Sequence, residues 1–157
     1  DKIKNDKINI VTHHWSDNYL KGFDIYDKID SFIQNHSEFT FTYIGRERGT
    51  FKNTKVIDPL FGEDLAKELG RYDIYVTASR YDPGPNHVLE SIACEIPTYS
   101  HVDGGGSCEF SGKSHVYKSF EELKRVLLSK EYKKNKTLVK TWKKCMEELN
   151  ENTLLKC

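Results

Sequence analysis

The 157 residues of this chain are enough for one hydrophobic core but not comfortably for two. Its 24 Lys and Arg residues balance its 24 Asp and Glu residues, so net charge provides no general attraction to nucleic acid or to anionic membranes. The sequence has no secretion-signal pattern and no apolar run of membrane-spanning length. We therefore expect a cytoplasmic protein with no nucleic-acid partner.

Charge and cysteine usage vary along the chain. From Lys113 to the C-terminus, twelve Lys and Arg residues stand against six Asp and Glu residues, an excess more typical of a solvated helix face than of a nucleic-acid surface. The four cysteines form no C-x-x-C pair, and Cys94 and Cys145 fall on apolar helical positions, as expected for reduced core residues. The first residue is not Met and a predicted strand follows closely, so we expect a domain of a longer protein.

Strand and helix patterns alternate along most of the chain. Short runs rich in β-branched and aromatic residues predict strands at 7–12, 39–44, 54–58, 73–77 and 97–100. Apolar residues at helical spacing predict helices at 23–33, 65–70, 85–96, 119–127 and 138–149. The remaining polar segments are predicted as loops, among them 13–22 and the flexible glycine-rich stretch 103–106.

This alternation predicts a parallel sheet with helices on both faces. Such sheets bind ligands beyond the carboxyl ends of their strands, and the loops after the first strand and after 73–77 both emerge at that edge. We therefore expect one α/β domain over residues 1–157, with its core at about 7–118 and C-terminal helices at about 119–150. A ligand site is expected where the two loops meet.

Two acidic residues eight positions apart mark the most distinctive stretch of the sequence. Asp82 lies in the loop that leaves the fourth predicted strand, whereas Glu90 lies about one and a half turns into the following helix. Two prolines and a glycine between them stiffen the loop and let the backbone approach a ligand closely. The free N–H groups of the helix start point toward the same space, so the stretch can hold a polar, negatively charged ligand.

The stretch from Ser79 to Pro97 resembles the nucleotide-sugar signature of retaining GT-B glycosyltransferases of the group 1, or family 4, type. That signature consists of an acid, seven residues, a Glu, a helix of small residues and a proline. Lys21-Gly22 after the first strand and the loop 103–106 also match. The resemblance covers most of residues 7–110 and corresponds to the C-terminal, donor-binding half of such an enzyme. It implies a Rossmann-like three-layer sandwich, with an N-terminal acceptor domain that is absent from this chain.

The resemblance also implies a role for each matching residue. Glu90 would accept hydrogen bonds from the ribose hydroxyls of a nucleotide sugar, and Asp82 from the hydroxyls of the sugar. Lys21 would neutralise the diphosphate as it leaves, so that Lys21, Asp82 and Glu90 form the catalytic set. Backbone amides around 84–87 would contact the sugar and the diphosphate, and the backbone of 57–60 would frame the base. The expected donor-binding residues are Ser16, Gly22, Ile57, Pro59, Leu60, Gly84, Pro85, Asn86, His87, Val88, Gly104 and Gly105.

The activity implied by this resemblance is transfer of a sugar from a nucleotide-sugar donor to a hydroxyl of a glycan, lipid or protein. Retention of configuration is implied, without a metal or other cofactor. The acceptor would be held by the missing N-terminal domain, so the isolated domain is expected to bind nucleotide but to transfer little. Association with the inner membrane face is expected only through the full-length protein. Two alternatives stay open: a non-catalytic nucleotide-sugar-binding or regulatory domain, and a sugar-nucleotide epimerase on the same fold.

Two of the matching positions depart from the usual residues of the family. Asp82 stands where the family usually has Glu, which shortens the reach of the carboxylate by one methylene. Ser16 stands where a phosphate-binding Arg often lies, which leaves Lys21 with less help. We expect Arg46, Arg48 or Arg80 to compensate.

Histidines are a further particular feature of this sequence. His13 and His14 fall in the predicted loop and have no Asp, Glu or Cys at metal-ligand spacing, so no metal site is predicted. His87 lies within the signature itself. It either lines the sugar site or faces solvent, and the sequence favours neither.

Overall fold

Six parallel strands form a single sheet. The structure, a computed structural model, describes residues 2, 3, 5–137 and 139. Its strands are β1 (Ile8–His14), β2 (Phe39–Gly45), β3 (Lys55–Ile57), β4 (Ile74–Thr77), β5 (Thr98–His101) and β6 (Val116–Tyr117). Their order across the sheet is β3-β2-β1-β4-β5-β6, and every neighbouring pair is parallel. The predicted parallel α/β architecture is confirmed.

Helices cover both faces of this sheet. They are α1 (Phe23–Gln34), α2 (Gly62–Leu69), α3 (Asn86–Ala93), α4 (Gly106–Ser111) and α5 (Phe120–Ser129), with short 3-10 turns at Tyr19–Lys21 and Lys113–His115. Successive strand residues point to opposite faces. Ile10 of β1 packs with α1 and α5 in one apolar cluster, whereas its neighbour Val11 packs with α2 in the other. Two helical layers therefore enclose the sheet, which is the expected Rossmann-like three-layer arrangement.

The strand order reverses at the centre of the sheet. β1 pairs with β2 on one side and with β4 on the other. In parallel sheets, such a reversal leaves a crevice between the loops that follow the two central strands. These loops are the segments 15–22 after β1 and 78–85 after β4. The expected ligand-binding edge therefore lies between them.

Backbone contacts bring the loops of this edge close together. Gly22 has a φ of 85°, and a Cβ at this position would overlap the carbonyl oxygen of Ala78. Glycine is therefore required there, because a side chain would push the two loops apart. Asp82 forms a parallel bridge with Gly105, and its carbonyl accepts the Gly106 N–H at 2.9 Å. The loops after β1, β4 and β5 thus form one connected rim.

The first strand is longer than the sequence pattern predicts. β1 continues through His13 and His14, which pair with Ile44 and Gly45 of β2, so the polar loop begins only at residue 15. Both histidines are buried, with exposed fractions of 7% and 3%. Their polarity indicated a loop, but the parallel ladder and the packing of their rings decide the conformation. The prediction of a loop at 13–14 is wrong.

The C-terminal part of the chain also differs from the prediction. Gly106 begins α4 instead of ending a flexible loop, and neither α4 nor β6 is predicted, because both are too short to show a period. Cys94 is the C-cap residue of α3 and is only partly buried, at the edge of the core. The predicted helix 138–149 lies, apart from residue 139, outside the described residues, as does Cys145.

A buried carboxylate of α1 fixes the loop that leads into β3. Asp30 is only 5% exposed, and its oxygens accept the backbone N–H groups of 52–54 at 2.7 to 3.3 Å. The Thr54 hydroxyl donates a further bond at 2.6 Å. Burial alone would raise the pKa of Asp30, but these hydrogen bonds favour the carboxylate and hold its pKa below the usual value. One charge therefore holds the segment that precedes β3.

Asp30→Asn is expected to lower the free energy of unfolding by about 1–3 kcal/mol, because an amide NH2 would face the backbone donors. Since folding lowers the pKa of Asp30, its contribution to stability is complete above about pH 4 and is lost as the pH falls through the folded-state value. Urea unfolding at pH 7 and at pH 3 measures the effect. The difference between wild type and variant should be larger at pH 7.

Asp27→Asn is the matched control for this experiment. Asp27 lies on the same helix, and its carboxylate accepts the Thr50 hydroxyl at 2.8 Å rather than a row of amides. Its loss removes the same charge and should change stability by only about 0.5 kcal/mol. Equal losses in the two variants would mean that Asp30 acts through helix charge and not through the loop 52–54.

Candidate functional site

A cleft of about 430 Å³ opens at the carboxyl edge of the sheet. Its walls come from the ends of β1 and β2, from the segments after β1, β3 and β4, and from α2 and α3. The lining residues are His13, His14, Trp15, Ser16, Lys21, Ile44, Pro59, Leu60, Phe61, Leu65, Asp82, Gly84, Asn86, His87 and Glu90. The cleft thus lies at the reversal of strand order, where the topology predicts a ligand site.

The three residues expected to form the catalytic set all line this cleft. Lys21 comes from the 3-10 turn before α1, Asp82 from the loop after β4, and Glu90 from the second turn of α3. Lys21 and Asp82 are 61 positions apart in the sequence. The cleft is also lined by these expected donor-binding residues: Ser16, Pro59, Leu60, Gly84, Asn86 and His87. Their placement together is a structural finding, and their roles stay predictions.

The other expected donor-binding residues are not among those lining the cleft. They are Gly22, Ile57, Pro85, Val88, Gly104 and Gly105. A Cβ at Gly22, Gly104 or Gly105 would lie less than 3.0 Å from a backbone carbonyl oxygen, so these glycines allow close backbone contacts. Val88 is completely buried, and Ile57 packs against a core cluster. Pro85 is the N-cap residue of α3. For these residues the structure describes a contribution to folding, whereas a contact with a ligand stays a prediction.

An ion pair lies within the cleft. Lys21 Nζ is 3.3 Å from Asp82 Oδ2, and the two side chains are mostly shielded, with exposed fractions of 24% and 16%. The same Asp82 oxygen is 3.8 Å from His87 Nδ1. Asp82 also accepts the Gly84 N–H at 3.2 Å, which fixes the turn at 82–84. Lys21 can therefore bind an anion at this point, and Asp82 can accept hydroxyl protons beside it.

A second carboxylate contacts the first of the cleft histidines. Glu90 Oε2 is 2.8 Å from His13 Nε2, and because a carboxylate only accepts, Nε2 carries the proton in this contact. The Glu90 side chain is 50% exposed, so it is oriented by His13 and still open to the cleft. His13 is missing from the predicted site because the sequence shows no partner for it at metal-ligand spacing, and its actual partner, Glu90, is 77 positions away. No local pattern marks such a pair.

A buried hydroxyl fixes the second histidine. Tyr26 Oη accepts the Ala78 N–H at 3.0 Å and the Thr12 hydroxyl at 3.2 Å, which occupies both of its lone pairs. Its own proton must then go to His14 Nε2, 2.6 Å away, so His14 carries its proton on Nδ1. Burial lowers the pKa of His14 well below its usual value and keeps the ring neutral. Burial likewise raises the pKa of Tyr26 to about 12.

The third histidine, His87, lines the cleft from the start of α3 and is 8% exposed. Its Nε2 is 2.9 Å from Thr77 Oγ1, which also accepts the Ser79 N–H at 3.2 Å. Burial is the largest cause that lowers the pKa of His87 well below its usual value, and the nearby charge of Lys21 adds to the shift. A neutral ring with its proton on Nδ1 suits the carboxylate of Asp82 at 3.8 Å.

None of the three arginines expected to replace the missing phosphate-binding Arg lines the cleft. The guanidinium of Arg46 lies 4.7 Å from the ring centre of Trp15. Arg48 lies 5.9 Å from an aromatic ring of α1, and Arg80 forms an ion pair with Asp24 at 2.7 Å. The expected compensation is not seen. Among the residues that line the cleft, Lys21 is the only Lys or Arg.

Two exposed aromatic side chains form the outer wall of the cleft. Trp15 and Phe61 are 57% and 59% exposed, and their ring centres are 4.8 Å apart in an edge-to-face contact. They come from the segments after β1 and β3, beside Pro59 and Leu60. This wall provides an apolar surface next to the backbone that is expected to frame the base.

The described part of the chain has neither a metal-binding cluster nor a membrane-spanning helix. Residues 2, 3, 5–137 and 139 contain no group of three or more His, Cys, Asp or Glu side chains that could hold a metal ion. The cleft histidines instead contact a carboxylate, a phenol and a hydroxyl group. No helix in these same ranges is long and apolar enough to cross a membrane.

Comparisons with known proteins bear on the fold. No protein-family model matches the sequence, and no curated protein matches it significantly. Solved structures do match. The chain is similar to WaaG, a glycosyltransferase involved in lipopolysaccharide biosynthesis, with a TM-score of 0.64 and 15% identity over 81% of this chain. It is also similar to the pneumococcal O-GlcNAc transferase GtfA, solved with UDP and GlcNAc, with a TM-score of 0.62 and 14% identity over 80% of this chain.

A third similar structure is the catalytic domain of cholesterol-α-glucosyltransferase from Helicobacter pylori, with a TM-score of 0.64 and 12% identity over 77% of this chain. All three are GT-B glycosyltransferases. The fold is that of one half of a GT-B glycosyltransferase. The chain spans 38% of WaaG and 28% of GtfA, but 84% of the Helicobacter pylori domain. At these identities the likeness establishes the GT-B fold, and the substrates named are those of the other proteins.

Tyr26→Phe is expected to destabilise this GT-B domain. The substitution leaves the Ala78 N–H, the Thr12 hydroxyl and His14 Nε2 without their common partner in a buried position. The free energy of unfolding should fall by about 1–3 kcal/mol. Urea unfolding followed by circular dichroism measures the loss.

Tyr43→Phe is the control for this substitution. Tyr43 is also completely buried, but its hydroxyl donates to the Arg46 carbonyl at 3.2 Å and does not join several elements. Its loss should cost about 1 kcal/mol or less. If both variants lost the same free energy of unfolding, the hydrogen bonds of Tyr26 to Thr12, Ala78 and His14 would contribute no more than the single bond of Tyr43.

Proposed function

We propose that this chain is the donor-binding half of a retaining glycosyltransferase, which transfers a sugar from a nucleotide sugar to a hydroxyl acceptor. The observation that carries the proposal is the convergence of Lys21, Asp82 and Glu90 on one cleft, at the edge where a GT-B fold is expected to bind its donor. A protein of the same fold was solved with UDP and GlcNAc, which supports a nucleotide-sugar donor. The acceptor is held by a second domain, so the isolated chain binds the donor but transfers little.

Glu90 binds the ribose in this proposal. Its carboxylate is half exposed and has four acceptor sites, of which the contact with His13 uses one. Two neighbouring ribose hydroxyls can therefore donate to it together. The apolar wall formed by Trp15 and Phe61 lies along the same cleft, where a base can pack beside the backbone of 57–60.

Lys21 and Asp82 serve the reacting end of the donor. During transfer the acceptor oxygen bonds to the anomeric carbon, and the bond between that carbon and the diphosphate oxygen breaks. The electron pair leaves with the diphosphate, so negative charge grows on the phosphate oxygen, where Lys21 stabilises it. Asp82 lies 3.3 Å from the Lys21 amine and accepts hydrogen bonds from hydroxyl groups of the sugar. The acceptor hydroxyl gives up its proton to the departing phosphate.

Donor binding without transfer is a second candidate function. It is favoured because Ser16 replaces the usual phosphate-binding Arg, and because Arg46, Arg48 and Arg80 do not line the cleft. A sugar-nucleotide epimerase on this fold would also use such a cleft. Donor hydrolysis, epimerisation and transfer measured side by side on the full-length protein, with a panel of nucleotide sugars, separate the three functions.

Glu90→Gln is expected to weaken nucleotide binding about tenfold, because the amide presents a donor to the ribose hydroxyls. Calorimetric titration of the wild-type chain with UDP, GDP and ADP identifies the nucleotide that binds, and the variant is then titrated with it. The 2′-deoxy form of that nucleotide should lose less affinity on substitution, because it lacks one of the two hydroxyls.

Glu109→Gln is the control, since Glu109 is exposed on α4 and does not line the cleft. It should bind the nucleotide as the wild type does. Unchanged affinity of Glu90→Gln would contradict the ribose contact. Failure of the wild-type chain to bind any of the three nucleoside diphosphates would contradict donor binding altogether.

Transfer by the full-length protein is expected to need no divalent cation. The cleft carboxylates are engaged by Lys21 and His13, and no group of three metal ligands lies among the described residues. Initial rates measured with excess EDTA should equal those measured without it. Loss of activity that Mg²⁺ or Mn²⁺ restores would contradict this part of the proposal.

A further inference from the structure

The charge of the cleft does not suit an anionic ligand by itself. Its lining contains one cationic side chain, Lys21, and two carboxylates, Asp82 and Glu90. Because Ser16 replaces the usual Arg, a second cation is missing beside Lys21. A diphosphate carries several oxygens that each need a hydrogen-bond donor, and Lys21 alone offers three. Neutral donors must therefore contribute if the cleft binds a nucleoside diphosphate.

Two histidines beside Lys21 are placed to supply such donors. His14 accepts the Tyr26 proton at Nε2, so its own proton is on Nδ1. His87 has its Nε2 committed to Thr77, and its Nδ1 is 3.8 Å from Asp82, a residue of the cleft wall. The two rings line the same cleft, and their centres are 4.9 Å apart. In each ring, one nitrogen is held by the protein and the other is left for the cleft.

We propose that His14 and His87 donate their Nδ1–H groups to the diphosphate of the donor and so replace the arginine that is absent at Ser16. This inference rests on the proposed function, because it assigns the residues that hold the diphosphate of a nucleotide-sugar donor. It names two binding residues in addition to Lys21.

Neutral imidazoles suit this place better than a second cation. Both rings are more than nine-tenths buried, and Lys21 lies close enough to disfavour further positive charge on either. A buried guanidinium beside Lys21 would be repelled by it and would lose its hydration. Neutral N–H donors complete the hydrogen bonds of the phosphate oxygens without either cost. The Tyr26 hydroxyl keeps the His14 proton on Nδ1. The Thr77 hydroxyl can donate to His87 Nε2 at 2.9 Å, and this arrangement leaves the His87 proton on Nδ1.

Two other roles would leave the same contacts in the structure. The histidines could act only in folding, in which case their Nε2 bonds to Tyr26 and Thr77 matter and their Nδ1 atoms do not. Alternatively, His87 could serve only Asp82, in which case it would influence the sugar and not the diphosphate. The two ring nitrogens therefore have to be tested separately.

Substitution of a histidine by asparagine or by glutamine tests its two ring nitrogens separately. The Asn amide occupies the place of Nδ1, and the Gln amide occupies the place of Nε2. The experiment compares His14→Asn with His14→Gln, and His87→Asn with His87→Gln, in the whole chain. Calorimetry measures affinity for whichever of UDP, GDP and ADP the wild type binds and for nucleotide sugars that contain this diphosphate, and thermal melting shows that each variant folds. Each histidine has its own pair of Asn and Gln variants. If a variant of one histidine does not fold, the pair at the other histidine decides the test.

The Gln variants are expected to bind the nucleoside diphosphate about tenfold more weakly than the wild type, and the Asn variants within roughly threefold of it. The opposite order would overturn the inference, because it would show that only Nε2 matters. Unchanged diphosphate affinity with weakened binding of the nucleotide sugar would also overturn it in favour of a role through Asp82. If the wild type binds no nucleoside diphosphate, the proposed function is wrong and the inference is wrong with it. If the wild type binds a nucleoside diphosphate and the Gln variants bind it equally well, the inference is wrong but the proposed function stands.

Discussion

The hydroxyl of Tyr26 lies where the two halves of the sheet meet, and the geometry of the cleft depends on it. It accepts hydrogen bonds from Thr12 of β1 and from the backbone of Ala78, the first residue after β4, and it donates to His14. β1 and β4 are the strands at which the order reverses, so one group fixes the relative position of the two loops that form the rim. Gly22 completes the constraint, because its missing side chain leaves room for the Ala78 carbonyl.

The architecture could be predicted because each strand and helix shows its own pattern of apolar residues within a short stretch of sequence. β4 shows four successive buried residues at Ile74–Thr77, and α1 shows apolar residues at helical spacing over Phe23–Gln34. Once strands and helices alternate, the topology of parallel sheets places Asp82 and Glu90 at one edge without any knowledge of distant contacts. The same reasoning places the loop that carries Lys21 at this edge, and the resemblance to GT-B enzymes selected Lys21 within that loop.

The cleft histidines could not be predicted in this way, because their burial depends on partners far away in the sequence. His13 is polar and follows a strand, so a local pattern assigns it to a loop; its actual partner, Glu90, is 77 positions away. His14 is buried because the Tyr26 hydroxyl satisfies its inner nitrogen. Histidine occurs both on the surface and in buried positions, so its identity alone does not separate a loop from a buried polar contact. The tautomers, and with them the donors offered to a ligand, follow only from the completed hydrogen-bond network.

Under the proposed function, the Lys21–Asp82 ion pair couples the two parts of a nucleotide sugar. Each charge satisfies the other at 3.3 Å in a mostly shielded position. A diphosphate that draws Lys21 away would leave Asp82 without its cation, and a partly buried charge without a partner is unfavourable. A sugar hydroxyl supplies a new partner for Asp82 while the diphosphate supplies one for Lys21. The complete donor therefore replaces both partners of the pair, whereas a diphosphate or a sugar alone replaces only one of them. The short side chain of Asp82 keeps this exchange of partners close to the backbone turn at 82–84, where the Gly84 N–H donates to the same carboxylate at 3.2 Å.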